Sequence, residues 1–168
     1  MPIKFIILGC GSSFGVPRPD GFFGNCDPKE KKNIRTRSSA LIKTSNKNIL
    51  IDTSPDLRFQ LISNKIKNID TVFYSHLHAD QTHGINDLRV FYLKKRKVID
   101  VYANLNTRKY LKKNFSYCFS SNKEYPAILN FKKLKKNTIF NYKSDKISIK
   151  PIEVAHGKIN CLAFIINK

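Results

Sequence analysis

The chain has 168 residues, enough for one domain with a core of its own, since a chain of this size buries roughly two-thirds of its unfolded surface. Hydrophobic residues at 41% and charged residues at 26% exclude a disordered tail, a collagen-like repeat and a membrane bundle. Lys+Arg 31 against Asp+Glu 12 gives a net charge of +19, which suits nucleic acid, anionic membranes or phosphorylated substrates; the excess is mostly lysine beside sixteen asparagines, a bias that A/T-rich codons also produce.

Residues 3–8 form an apolar, β-branched run stopped by Gly9 and Gly11, which predicts a strand followed by a long Gly-, Pro- and Asp-rich loop over 9–27. Residues 38–43 and 48–52 are apolar bursts separated by Thr44, Ser45, Asn46 and Lys47, the pattern of a hairpin. Ser54-Pro55-Asp56 opens a helix carried by Leu57, Leu61 and Ile62 to about Lys65. A strand at 71–75 runs directly into a polar cluster. A helix follows over 85–94, with Leu88, Phe91 and Tyr92 on one face, and then a strand at 98–102. A helix over 107–119 and strands at 131–133, 138–141, 146–154 and 159–166 complete a layered mixed α/β domain spanning residues 1–168. No repeat or linker interrupts it. No apolar run approaches the ~18 residues of a membrane span, so no membrane partner is expected.

Cys10, Cys26, Cys118 and Cys161 lie far apart with no CxxC pair, which argues against a zinc ribbon and a disulfide scaffold and suits a reducing cytoplasm. Gly9, Gly11 and Gly15 superficially match a dinucleotide fingerprint. The third glycine is one place late, however, and Val-Pro-Arg-Pro follows in place of a helix.

Three of the four histidines fall between His76 and His83. A strand ending in His76-Leu77-His78-Ala79-Asp80 sets two imidazoles at period two with a carboxylate just beyond, a donor set that zinc and similar divalent ions favour. His156 also lies at a strand end, and as the one remaining histidine it is the natural third ligand, leaving an open position for water.

On these residues the chain resembles the metallo-β-lactamase superfamily. The likeness is carried by Leu8-Gly9-Cys10-Gly11-Ser12-Ser13, by Asn48 to Thr53, by His76-Leu77-His78-Ala79-Asp80-Gln81 with Gly84, and by His156. Gly15-Val16-Pro17, Arg35-Thr36-Arg37-Ser38-Ser39, Ser54-Pro55-Asp56-Leu57-Arg58 and His83-Gly84-Ile85-Asn86-Asp87-Leu88-Arg89 are similar to the branch that holds phosphoribosyl cyclic-phosphate phosphodiesterase and PQQ-biosynthesis protein B. The resemblance implies an αββα sandwich with a dinuclear metal centre at one edge, hydrolysing a phosphodiester or related ester. It gives His76, His78 and His156 as ligands of a first ion and Asp80 as a ligand of a second, with Asp80 or the family's bridging aspartate orienting the nucleophile. Asp52 becomes the carboxylate that braces the metal-binding loop.

Two departures shape the expectation. Gln81 stands where the full motif has a histidine, with His83 the nearest substitute, and after His156 there is neither His nor Asp to serve as bridging carboxylate and last ligand. The expected domain is therefore C-terminally short, with an incomplete second half and one zinc (or manganese) ion in preference to two. A half-built second sheet would leave apolar surface open to homodimerisation. Arg35, Arg37 and Arg58 are either grips for substrate phosphate or surface arginines flanking strands and helices. The lysine runs at 94–97 and 132–136 read as solvated faces. Three functions follow: a metal-dependent hydrolase of a small cyclic phosphate or similar ester, an RNA-processing nuclease of the same superfamily, or a non-catalytic remnant binding one metal. A small phosphorylated substrate is the favoured partner and nucleic acid the less favoured one.

Overall fold

The computed structural model describes residues 3–134, 139–142 and 147–167. The first sheet has six strands in the order β1 (Lys4–Gly9), β2 (Ser39–Lys43), β3 (Asn48–Ile51), β4 (Thr71–Phe73), β5 (Ile99–Tyr102) and β6 (Leu129–Phe131). The first three are antiparallel and the last four run parallel. Parallel neighbours need crossovers, and these carry the helices: α1 (Leu57–Ser63), α2 (Ala79–Thr82), a 3-10 turn (Ile85–Leu88), α3 (Arg89–Lys95), α4 (Leu105–Asn114) and α5 (Ser116–Phe119). A second, antiparallel sheet is built from β7 (Phe140–Tyr142), β8 (Ile147–His156) and β9 (Ile159–Asn167).

Period-two alternation sorts the central strands between two cores. Leu41, Leu50, Val72 and Val101 face the helices, meeting Leu57, Leu61, Leu88, Leu111 and Cys118. Their neighbours Ile42, Ile49 and Phe73 face the second sheet and meet Ile147 and Ile149. Phe73 anchors this inter-sheet layer, stacked on Tyr102 at 4.8 Å and edge-on to Phe140 and Phe164 at 5.0 and 5.6 Å. The layers are thus helix, sheet, sheet. Among the described residues no second helical layer covers the outer face of the small sheet, where Ile152, Val154 and Ile165 are exposed. No helix among the described residues is long and apolar enough to cross a membrane.

Several boundaries differ from the sequence-based expectation. The helix expected over 85–94 begins as a 3-10 turn and becomes α-helical only at Arg89. The one expected over 107–119 starts earlier, where the Asn104 side chain accepts the Thr107 N–H, and breaks at Phe115, whose φ of −127° is not helical. The strand expected at 131–133 lies at Leu129–Phe131, paired with β5. Thr138, Lys146 and residues 135–136 of the second lysine run fall outside the described residues.

Close backbone approach decides how the ends of β3 and β4 meet. Gly84 donates its N–H to Thr53 O at 2.9 Å, and a Cβ there would sit 2.0 Å from Ser54 O. Gly84→Ala is therefore expected to destabilise the fold by about 3 kcal/mol, the upper range for overpacking, because backbone and not a flexible side chain must move. Denaturant unfolding of the variant against the parent checks this; an unchanged midpoint would mean that the loop slides freely.

Candidate metal centre

In open sheets with parallel strands, functional side chains collect beyond the carboxyl ends of those strands. Asp52 and Thr53 follow β3, and Ser75 to His83 follow β4. Asp52 adopts φ 61°, the left-handed region that Asp tolerates better than most residues, and this bend directs its carboxylate at the neighbouring strand end. There Oδ1 accepts the Ser75 N–H at 2.7 Å and Oδ2 accepts the Ser75 hydroxyl at 2.6 Å. Burial pushes the Asp52 carboxyl up to about 7, against the pull of these two bonds.

The serine hydroxyl has one proton. With that proton given to ionised Asp52, Ser75 Oγ can only accept from His76 Nδ1, 3.0 Å away. In that state Nδ1 carries the hydrogen, and the lone pair of His76 is on Nε2, which faces His78 Nδ1 at 3.1 Å. Burial, reinforced by His78 and His156, lowers the His76 imidazole to about 4, so it is neutral near pH 7 and able to donate its lone pair.

His156 reaches this point from the other sheet. It is the last residue of β8, and the two-residue loop Gly157-Lys158 returns the chain into β9 with Gly157 at φ 58°, the positive φ that such hairpin loops require. Two bonds dock the hairpin: the Leu162 N–H donates to Ser75 O at 2.8 Å and the Asn104 amide to Asn160 O at 3.0 Å. The ring centroid of His156 lies 4.8 Å from that of His76 and 5.4 Å from that of His78. One nitrogen from each of the three rings falls within 4.8 Å of the others, with His76 buried and the other two exposed. Three imidazole nitrogens converging on one open side fit a divalent ion.

The remaining residues singled out in the sequence divide. Asp80, half-buried, stands outside the trio and accepts the Gln81 amide N–H at 2.8 Å. The buried Gln81 Oε1 has no hydrogen-bond partner among the described residues, and an amide oxygen is a harder, weaker donor to zinc than imidazole. His83 does not join the cluster: it caps the end of α2, bonds Thr82 Oγ1 at 3.0 Å and sets its ring edge-on to Phe115. Arg37 lies with its fork on Asp56, at 2.9 and 2.6 Å, and holds that carboxyl below its ordinary range. Arg58 is exposed on α1, beside Asp87 and Arg89 of the helical layer. Arg35 is exposed and donates to Cys10 Sγ at 3.1 Å. Ser75 was not singled out in the sequence; its signal is its place immediately before the first histidine of the cluster, whose Nδ1 it bonds.

Comparison with known proteins gives the family and the fold. The beta-lactamase superfamily domain matches residues 47–168. A crystallised diphosphatase from the PhnP family is 27% identical over 99% of this chain and 62% of its own, with a TM-score of 0.82. Zinc-bound PqqB from Methylobacterium extorquens shares the fold at 18% identity, over 97% of this chain and 58% of that one, with a TM-score of 0.69. A curated octanoyltransferase of Porphyromonas gingivalis is 30% identical over 99% of this chain, which spans only 33% of that protein.

Purified protein is expected to retain about one divalent ion per chain after mild chelation, and the His76→Ala, His78→Ala double variant none, by elemental analysis. An unchanged content in the double variant would place the ion elsewhere. Asp52→Asn can present N–H in place of an acceptor, turning the Ser75 proton toward His76 Nδ1; metal affinity should fall about 10–100-fold by competitive chelation, and an unaltered affinity would dismiss the relay.

Proposed function

The chain belongs to the beta-lactamase superfamily, and from that membership we propose that it is a metal-dependent hydrolase of small phosphate esters, a cyclic phosphodiester or a diphosphate linkage. The convergence of His76, His78 and His156 carries this reading. The diphosphatase likeness, over nearly the whole chain, supports a phosphorus centre over a carbonyl one; this chain spans 62% of that protein's length.

An ion held by three imidazoles, zinc or manganese, would act as a Lewis acid that draws the pKa of a water from about 15.7 toward 7. The residues of the chain supply the rest. His76, fixed by Ser75 and Asp52, holds its lone pair in place without reorganisation as charge develops. Asp80 is the carboxylate proposed to orient the attacking water and take its proton, with the Gln81 amide steadying one of its oxygens. Arg35 and Arg58 are the arginines left able to grip a phosphate, because both are exposed and no carboxylate pairs with either among the described residues. Arg37 instead holds the loop before β2 against the start of α1.

The test is hydrolysis of a chromogenic bis-aryl phosphodiester, a cyclic phosphate and a diphosphate diester with added zinc or manganese, His78→Ala serving as contamination control. Turnover should vanish on chelation and return with metal. Asp80→Asn should lower kcat about a hundredfold with metal content retained. Metal-loaded protein that turns over none of the three substrates would overturn the reading.

A further inference from the structure

The helical layer carries a groove of about 580 Å³ that the metal chemistry does not use. Arg89 and Tyr92 of α3 form one wall with Arg96 just beyond the helix, Tyr117 of α5 forms the other, and Glu124 and Tyr125 close one end. The closing turn is well defined: Asn122 Oδ1 accepts the N–H of Glu124 at 2.9 Å and of Tyr125 at 2.7 Å. The Arg89 guanidinium lies 5.3 Å over the Tyr125 ring, and the Tyr117 hydroxyl donates to Asn86 Oδ1. Both phenol rings are held in place and yet remain 52% and 48% exposed, so ring surface stays open to a ligand. Neither Arg89 nor Arg96 is paired with a carboxylate among the described residues.

We propose that this groove binds single-stranded nucleic acid, with bases stacked on Tyr117 and Tyr125 and phosphates held by Arg89 and Arg96. Flat, immobilised rings beside unpaired guanidinium groups are what an unpaired strand engages, since every base has a π-face and every nucleotide a charge. A guanidinium already stacked on a ring keeps its N–H donors directed outward for phosphate. Glu124 repels phosphate, which sets the polarity of the site: the backbone runs along α3, and the carboxylate faces base edges, where an exocyclic amino group can donate to it. Exposed Lys94 and Lys97 flank the arginine wall, and the net charge of +19 favours encounter with a polyanion. A bilayer would call for protruding apolar groups on a convex face, whereas this site is concave and charged.

The experiment titrates the full chain into a fluorescein-labelled oligocytidylate RNA of about ten nucleotides at several salt concentrations, read by anisotropy. Tyr125→Ala should weaken binding about tenfold and Tyr125→Phe by less than about twofold, because stacking needs the ring and not the hydroxyl. The Arg89→Gln, Arg96→Gln pair should reduce the slope of log K against log salt by about 1.4, or about 0.7 for each lost phosphate contact. Lys112→Gln, Lys113→Gln removes the same charge from α4, outside the groove, and should change affinity less than about twofold. Metal content should be unchanged in Tyr125→Ala. Wild-type affinity in Tyr125→Ala, a lysine pair as damaging as the arginine pair, or binding to phosphatidylserine vesicles without binding to the oligonucleotide would each overturn the proposal.

Discussion

A buried carboxylate takes both hydrogens that Ser75 can offer, one from its backbone and one from its hydroxyl, and the architecture of the site follows from that capture. It ties the end of β3 to the end of β4 where the ladder between them has stopped. While Asp52 is ionised the serine oxygen is left only to accept at His76, so the fold itself selects which nitrogen of that ring keeps its lone pair. The bonds around it repeat the tie: the Thr53 N–H donates to Gln81 O at 2.7 Å and the Gly84 N–H to Thr53 O at 2.9 Å. The cost is visible in the same residue, a left-handed backbone and a carboxyl raised to about 7 by burial. Strain and desolvation of this kind survive where surrounding contacts over-determine the position.

The sequence was most informative where one residue type reports one physical demand. Strands buried on both faces read as apolar runs, and 41–42, 49–50 and 72–73 show why: successive residues enter different cores. Histidines at strand ends were legible because few other roles gather them there. Whether a helix would continue through Phe115, or begin as a 3-10 turn at Ile85, depends on what packs against it, which periodicity does not carry. The fate of Arg37 was equally hidden, since its partner Asp56 lies 19 residues away and meets it only through the approach of the β2 entry to α1. Ser75 was silent because a serine beside a histidine is common, and only the carboxylate behind it gives it a task.

The third imidazole illustrates how distant segments are brought to one point. His156 owes its position to a tight reversal at Gly157 and to two hydrogen bonds made by its hairpin partner, one to the backbone of Ser75 itself. The same serine thus bonds the first histidine through its side chain and, through its carbonyl, docks the hairpin partner of the strand that carries the last. Both sheets register on one residue, so the relative placement of His76 and His156 does not rest on the inter-sheet aromatic layer alone.

The outer strand of the small sheet has a colloidal consequence. β9 runs from Ile159 to Asn167 without a charged residue or a proline, and among the described residues nothing continues its ladder on the far side. Charge, proline and bulges are the usual means of making such an edge unattractive to another strand, and this one has none of them along its length. The positive charge carried elsewhere, +19 in all, opposes the approach of a second copy over a Debye length of about 10 Å at 0.1 M salt. Strand addition at this edge and charge repulsion thus oppose each other, and added salt, by shortening the Debye length, weakens the repulsion and leaves the edge hydrogen bonds in place.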